Sequence, residues 1–439
     1  MEICVPINLK RKNDCFSGRN RMIEIKPLNH CDAVVAIPGS KSYTHRALIA
    51  SALAEGESVL FNALRSEDTE YTAQGLEKLG IKIAWEGDSI LVQGKRGVLK
   101  AGEEKIYVGD SGTTMRFLTA LAALKNGFTL LDGSERMRKR PMAELLGGLV
   151  SLGVKAYSLE RNGYPPVVVD SQGLEGGNAR VKGSESSQFL SALLMVAPLA
   201  RADVRLEVTG RLVSRPYVDI TRGVMADFGV EVQKEEGDSF FVRAGQRYSP
   251  RQYRVEGDAS NASYFLAAAA ITGGKVRVEN FRPASLQGDA QFLAILEQMG
   301  CEVSRGENWA EVRVKELRGI EVDMSTMPDL VPTLAIVAAF AQGKTVIRNV
   351  GHLRHKESDR LKTVAGELAK MGVEVEEGKD WLQVEKGKAR GAEIETHNDH
   401  RLAMSFAIAG LAVPGIKIKG ERCVDKSFPG FWETLKKLY

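Results

Sequence analysis

Apolar residues along this chain fall into two patterns that recur together six times: an alanine-rich run that is apolar on most faces, then a stretch in which apolar and polar residues alternate. The runs are Leu48 to Gly56, Phe117 to Gly127, Phe189 to Ala202, Tyr264 to Gly274, Pro332 to Gly343 and Leu402 to Gly415. They predict helices buried on nearly all sides, each closed by a small residue. The alternating stretches start at Ser58, Thr129, Val204, Val276, Thr345 and Ile416 and predict strands.

A second helix follows in each unit and ends in a glycine with alternating residues after it, at Gly80, Gly153, Gly229, Gly300 and Gly372. These glycines lie 71 to 76 residues apart, so the unit is strand, helix, strand, helix, strand, strand. Hairpin signals such as Glu86-Gly87-Asp88 and Glu236-Gly237-Asp238 join the last two strands. Buried helices argue against a solenoid, which carries its helices outside. Six units divide most simply into two lobes of three, with a boundary near Tyr253 to Asp258. The helix Phe431 to Leu438 ends the sixth.

At 439 residues and 44% hydrophobic, the chain has ample material for more than one core. Its 60 basic and 56 acidic residues nearly cancel, so a positive field must come from local clustering, and nothing points to nucleic acid. Five scattered cysteines without a C-x-x-C pair speak against a disulfide framework and for a reducing, cytoplasmic setting. Residues 1–21 are polar and basic, with no secretory apolar core, and read as a disordered extension before an alternating start at Met22. No membrane partner is expected.

The chemistry lies ahead of each alanine-rich helix. The leaders are Gly39-Ser40-Lys41-Ser42, Gly109 to Arg116, Gly183 to Gln188, Gly257 to Asn261, Met327-Pro328-Asp329 and His397 to Arg401. Capping accounts for their Ser, Thr, Asp and Asn. It does not account for Lys41, Arg46, Arg116, Gln188, His400 and Arg401. Helix N-termini dressed with cations bind anions, so starts gathered at one cleft imply a small ligand carrying several negative charges. Two further basic runs, Ser134 to Pro141 and His352 to Arg360, each follow a strand. In the second, Lys356 and Arg360 are spaced to share a helical face, and Glu357 beside them is a candidate proton-transfer group. The spacings His352-x-x-His355 and His397-x-x-His400 lack the glutamate of H-E-x-x-H and any nearby cysteine, so no metal is expected. Neither a Walker loop nor a G-x-G-x-x-G signature is present.

Seven ordered motifs carry a resemblance: Pro38 to Arg46, Gly109 to Arg116, Arg138 to Met142 with Arg136 ahead, Ser186 to Leu194, Arg215 to Thr221, Lys356 to Arg360 and Asn398 to Met404. From about Met22 to Tyr439 the chain resembles the 5-enolpyruvylshikimate-3-phosphate (EPSP) synthase family. The resemblance implies an α/β fold of the inside-out barrel type, two lobes each of three βαβαββ repeats. One lobe would span 39–255, and the other 22–38 with 256–439. It implies enolpyruvyl transfer from phosphoenolpyruvate to the 5-hydroxyl of shikimate 3-phosphate, on the path to chorismate and aromatic amino acids. Neither cofactor nor metal would take part, the enzyme would be a monomer, and glyphosate would compete for the phosphoenolpyruvate pocket.

Carried over by motif, Lys41, Ser42, Arg46, Ser186, Ser187, Ser214, Tyr217, Asp329 and Lys356 would hold shikimate 3-phosphate. Lys41, Gly112, Arg140, Gln188, Arg360, Arg401 and Lys426 would hold phosphoenolpyruvate. Asp329 would deprotonate the hydroxyl, and Glu357 and Lys41 would manage the proton on the methylene carbon. Two positions depart from the family pattern: Asp110 and His352 both stand where Asn is usual. The sister transferase that uses UDP-N-acetylglucosamine fits less well, having Lys-Asn where this chain has Lys41-Ser42 and a loop cysteine that Ser134 to Arg140 lacks. A non-catalytic anion binder would gain nothing from Asp329 and Glu357 among cations.

Overall fold

In the computed structural model, which describes residues 22–439, twelve α-helices connect six small sheets. The reading of residues 1–21 as disordered falls outside the described residues. The helices are α1 (Lys41–Leu53), α2 (Glu67–Lys78), α3 (Gly112–Ala122), α4 (Ala143–Ser151), α5 (Ser187–Val196), α6 (Pro216–Asp227), α7 (Ala259–Thr272), α8 (Phe292–Gln298), α9 (Val331–Phe340), α10 (Arg360–Lys370), α11 (His400–Ala412) and α12 (Phe431–Leu435). The odd-numbered ones are the alanine-rich runs. In α9 every residue but Phe340 is buried, and in α7 every residue but Ile271. Each Val, Leu, Ile or Phe among them contributes about 1.5–3 kcal/mol when fully buried, and each alanine less, so a helix apolar on most faces is stable only inside a core. The even-numbered helices α2, α4, α6, α8 and α10 keep one polar face for solvent.

In five sheets a leading strand pairs in parallel with the strand after an odd helix, and that strand pairs antiparallel with the second arm of the hairpin; in three of the five the leading strand is the one just before that same helix. The second sheet is typical: Glu104–Tyr107 runs parallel to Asn126–Asp132, followed by Val167–Gln172 and Lys155–Ser158. The sixth has no hairpin. Its place is taken by Met22–Glu24, antiparallel to Lys417–Lys419, which in turn runs parallel to Glu393–Glu395.

Buried apolar residues form two clusters, one drawn from residues 43–255, the other from 25–37 and 259–438. The first and fourth sheets exchange their leading strands. Asp32–Ala36, just before α1, pairs with Lys275–Glu279 of the fourth sheet, and Gln252–Arg254, just before α7, pairs with Glu55–Phe61 of the first. The two chain segments pass each other at Gly39 and Gly257, which form an antiparallel bridge. Asn62 and Asn280, both at positive φ, tie the passing segments by donating to Val255 O at 2.7 Å and Ile37 O at 2.8 Å. A Cβ on Gly39 would lie 1.8 Å from Asn62 O. Gly39→Ala is therefore expected to destabilise the protein by about 1–3 kcal/mol, as overpacking does; an unaltered thermal midpoint would refute the close crossing.

Several helix ends fall earlier than expected, as at Ala122 rather than Gly127 and Val196 rather than Ala202. The first alanine-rich helix ends at Leu53, not at Gly56, because the Glu55–Phe61 strand begins at once and Gly56 sits inside it at φ +121°. Gly127 does the same in Asn126–Asp132 at φ +117°.

Candidate active site

The starts of α1, α3 and α5 from one cluster, and the segments before α9, α10 and α11 from the other, face a common cavity. Lys41, Ser42, Arg46, Gly112, Arg140, Ser186, Ser187, Gln188, Ser214, Tyr217, Asp329, Lys356 and Glu357 line it. Arg360, Arg401 and Lys426 stand behind the lining and reach it through Asp329 and Glu357. Asp68, Thr113, Glu185, His352 and His400 also line it. Asp68 and Glu185 escape sequence reasoning because an acid at or near a helix start reads as ordinary capping.

Caps and cations divide the work at these starts. Ser186, Asp258 and Asp399 accept backbone N–H bonds at the starts of α5, α7 and α11. Ser40 does not cap α1. The Lys41 N–H donates instead to the Asp258 carboxylate at 2.9 Å, which the strand crossing brings alongside. Arg46 is buried, with Nε donating to Thr221 at 2.7 Å and one terminal nitrogen to Tyr217 O at 3.0 Å. Gln188 donates to Thr113 Oγ1 at 3.0 Å. A Cβ on Gly112 would lie 2.6 Å from the Arg140 guanidinium, so this glycine lets the cation lie against the helix start as well as leaving the cavity open.

Lys356 and Arg360 do not share a helical face. Lys356 follows a short 3₁₀ turn, Gly351–His355, and α10 begins only at Arg360 because Asp359 caps it. They converge on Asp329 all the same, at 3.7 Å and 2.9 Å, and Arg401 reaches its other oxygen at 3.1 Å. Glu357 is ringed in the same way by Arg360 at 2.9 Å, Lys426 at 3.6 Å and Arg140 at 3.8 Å. Lys426 also lies 3.8 Å from Asp68, which holds Lys41 Nζ at 3.2 Å.

Burial opposes charge on Glu357, yet Arg360, Lys426 and Arg140 outweigh it and hold the carboxyl well below the usual carboxylate range. Burial likewise opposes charge on Asp329, and Lys356, Arg401 and Arg360 outweigh it. Asp289, which accepts a hydrogen bond from Ser260, is pushed up to about 7 by burial and then by the charge of Asp329. Neighbouring carboxylates are thus driven apart in acidity. Because Asp329 and Glu357 are depressed in the folded state, their ion pairs stabilise the fold fully above the unfolded value near pH ~4, and that contribution is lost as pH falls through the folded values. Melting temperature should fall as pH drops below about 4, with a shallower slope in Asp329→Asn; equal slopes would refute it.

The two departures have structural accounts. Asp110 turns from the cavity: its carboxylate accepts from Ser134 Oγ and from Asn398 Nδ2, while its carbonyl accepts from Lys426 Nζ at 2.8 Å. His352 lines the cavity with Nε2 unpartnered, its basicity lowered to about 3 by burial and by Lys356.

A shared cavity of helix starts, with an excess of buried cations and two carboxylates among them, is the kind of site in which an enzyme receives small polyanions. The family described as EPSP synthase (3-phosphoshikimate 1-carboxyvinyltransferase) matches residues 25–435. A Nostoc punctiforme protein named 3-phosphoshikimate 1-carboxyvinyltransferase is 50% identical over 414 residues, 93% of this chain and 97% of that protein. One of the same name from Methanoculleus marisnigri is 46% identical over 416 residues, covering 94% and 98%. The solved EPSP synthase of Acinetobacter baumannii superposes with a TM-score of 0.79 at 29% identity, covering 95% of this chain and 98% of that one. The chain belongs to the EPSP synthase family and is an enzyme of enolpyruvyl transfer in the shikimate pathway. No helix among the described residues is long and apolar enough to cross a membrane.

Proposed function

We propose that the cavity takes shikimate 3-phosphate and phosphoenolpyruvate together and passes the enolpyruvyl group to the 5-hydroxyl, releasing phosphate. The observation that carries this is the pair Asp329 and Glu357, each an ionised carboxylate with three cations around it. Ser42, Arg46, Ser186, Ser187, Ser214, Tyr217 and Lys356 hold the acceptor beside Asp329. Arg140, Gln188, Arg360, Arg401, Lys426 and the Gly112 backbone hold phosphoenolpyruvate, with Lys41 between the two. Each apolar cluster is read as one lobe, 39–255 and 22–38 with 256–439, built as inside-out α/β repeats, and one chain supplies the whole site.

The chemistry balances in protons. When the phosphates bind among Arg140, Arg360 and Lys426, their negative charge offsets the hold of those cations on Glu357 and its proton affinity rises. Glu357, which takes up a proton from solvent as its affinity rises, gives that proton with the help of Lys41 to the methylene carbon, leaving an oxocarbenium-like centre. The 5-hydroxyl oxygen bonds to that centre as Asp329 takes its proton. Return of a methyl proton to Glu357 restores the double bond while the carbon–oxygen bond to phosphate breaks and phosphate leaves with the electron pair, and Asp329 hands the hydroxyl proton to the departing phosphate or to solvent. The cations are fixed by folding, so charge shifts without reorganisation. Turnover in deuterium oxide should place deuterium on the vinyl carbon of the product, because the transient methyl group loses any of its three hydrogens. Product formed without label would overturn the addition–elimination route.

A further inference from the structure

We propose that Arg136 is a positioning residue: it locks the Lys356–Glu357 peptide in place across the cleft and so sets the catalytic carboxylate. This rests on the functional reading above. Arg136 comes from the segment after the Asn126–Asp132 strand, packed with the 43–255 core, whereas Lys356 and Glu357 belong to the other core. Its Nε and a terminal nitrogen both donate to the Lys356 carbonyl oxygen, at 3.0 and 2.5 Å. That carbonyl belongs to the peptide joining Lys356 to Glu357, so holding its plane fixes where the Glu357 side chain departs.

The segment carrying Arg136 is itself stiff. Arg138 N donates to Ser134 O at 3.0 Å, Arg140 N to Met137 O at 3.0 Å, and Met137 N to Ser134 Oγ at 3.1 Å, with the Met137 side chain fully buried. The same segment sets Arg140 3.8 Å from the Glu357 carboxylate. One rigid piece of the first core thus grips Glu357 twice, by its backbone through Arg136 and by its carboxylate through Arg140. Arg136 makes no ion pair among the described residues; its fork is spent on a neutral carbonyl, a use for which surface charge pairing gives no reason. Misplacing a reacting group by about an ångström costs up to about a hundredfold in rate.

The test compares wild type with Arg136→Ala and Arg136→Lys by steady-state phosphate release, alongside melting curves. Arg136→Ala should lose about ten- to a hundredfold in kcat with both KM values within about threefold and an unchanged melting temperature. Arg136→Lys, which keeps the charge but not the fork, should recover only part of the rate, and millimolar guanidinium chloride should raise the rate of Arg136→Ala but not of wild type. A wild-type kcat in Arg136→Ala, or a raised KM with kcat intact, would overturn the proposal, the second by making Arg136 an ordinary substrate-binding cation. Absence of turnover in wild type itself would instead sink the functional reading.

Discussion

Glu357→Gln is expected to lower kcat by about 10²- to 10⁴-fold, the range for a lost general acid or base, with KM for either substrate shifted by no more than about threefold. Glutamine keeps the size of the side chain and can still accept a hydrogen bond from Arg360, but it cannot exchange a proton with carbon. It also removes a negative charge facing Arg140, Arg360 and Lys426. Those cations are then freer for substrate phosphate, so anion binding should hold or tighten while chemistry slows. Initial rates of phosphate release with each substrate varied in turn separate the two effects. A kcat within about tenfold of wild type would take Glu357 out of the proton path.

Arg360→Met is expected to lower the free energy of unfolding by about 3–5 kcal/mol, the cost of leaving buried charge unpaired. The Arg360 side chain is 1% exposed and binds three carboxylates at once: Asp399 at 2.8 Å and 3.2 Å, Asp329 at 2.9 Å and Glu357 at 2.9 Å. Methionine fills the volume but leaves those carboxylates without their shared cation. Their mutual repulsion then adds to the desolvation they already bear. Urea denaturation at neutral pH measures the loss, and Arg360→Lys, with its charge but no planar fork, should fall between the two. An unchanged urea midpoint in Arg360→Met would mean that the network does not hold the site together.

How much of this was legible in the sequence depended on the distance over which each signal acts. The repeat was plain because an alanine-rich helix and its following strand are local patterns, read from composition and period alone. The exchange of leading strands does not show in the pattern of residues, since Asp32–Ala36 looks like the first strand of its own unit; only the resemblance, which sets 22–38 with 256–439, points to its pairing with Lys275–Glu279. Cations beyond capping need marked Lys41, Arg46 and Arg401 as site residues. Asp68 was hidden because an acid in a first helical turn satisfies the helix dipole without any ligand, and its two lysine partners lie 27 and 358 positions away. The spacing of Lys356 and Arg360 suggested a helix where the chain has a turn, for Asp359 caps the helix too late to include Lys356. Asp110 could be seen as unusual, but the hydrogen bond it accepts from Ser134 comes from a loop of its own core and the one from Asn398 depends on the two cores meeting.

The central claim is that this cavity joins enolpyruvyl to shikimate 3-phosphate, and the most direct measurement is phosphate release from phosphoenolpyruvate with shikimate 3-phosphate or UDP-N-acetylglucosamine as the acceptor, with the product followed by mass. Turnover with shikimate 3-phosphate alone, giving a product heavier by one enolpyruvyl group, is the predicted result. Turnover only with UDP-N-acetylglucosamine, or with neither acceptor, would contradict it.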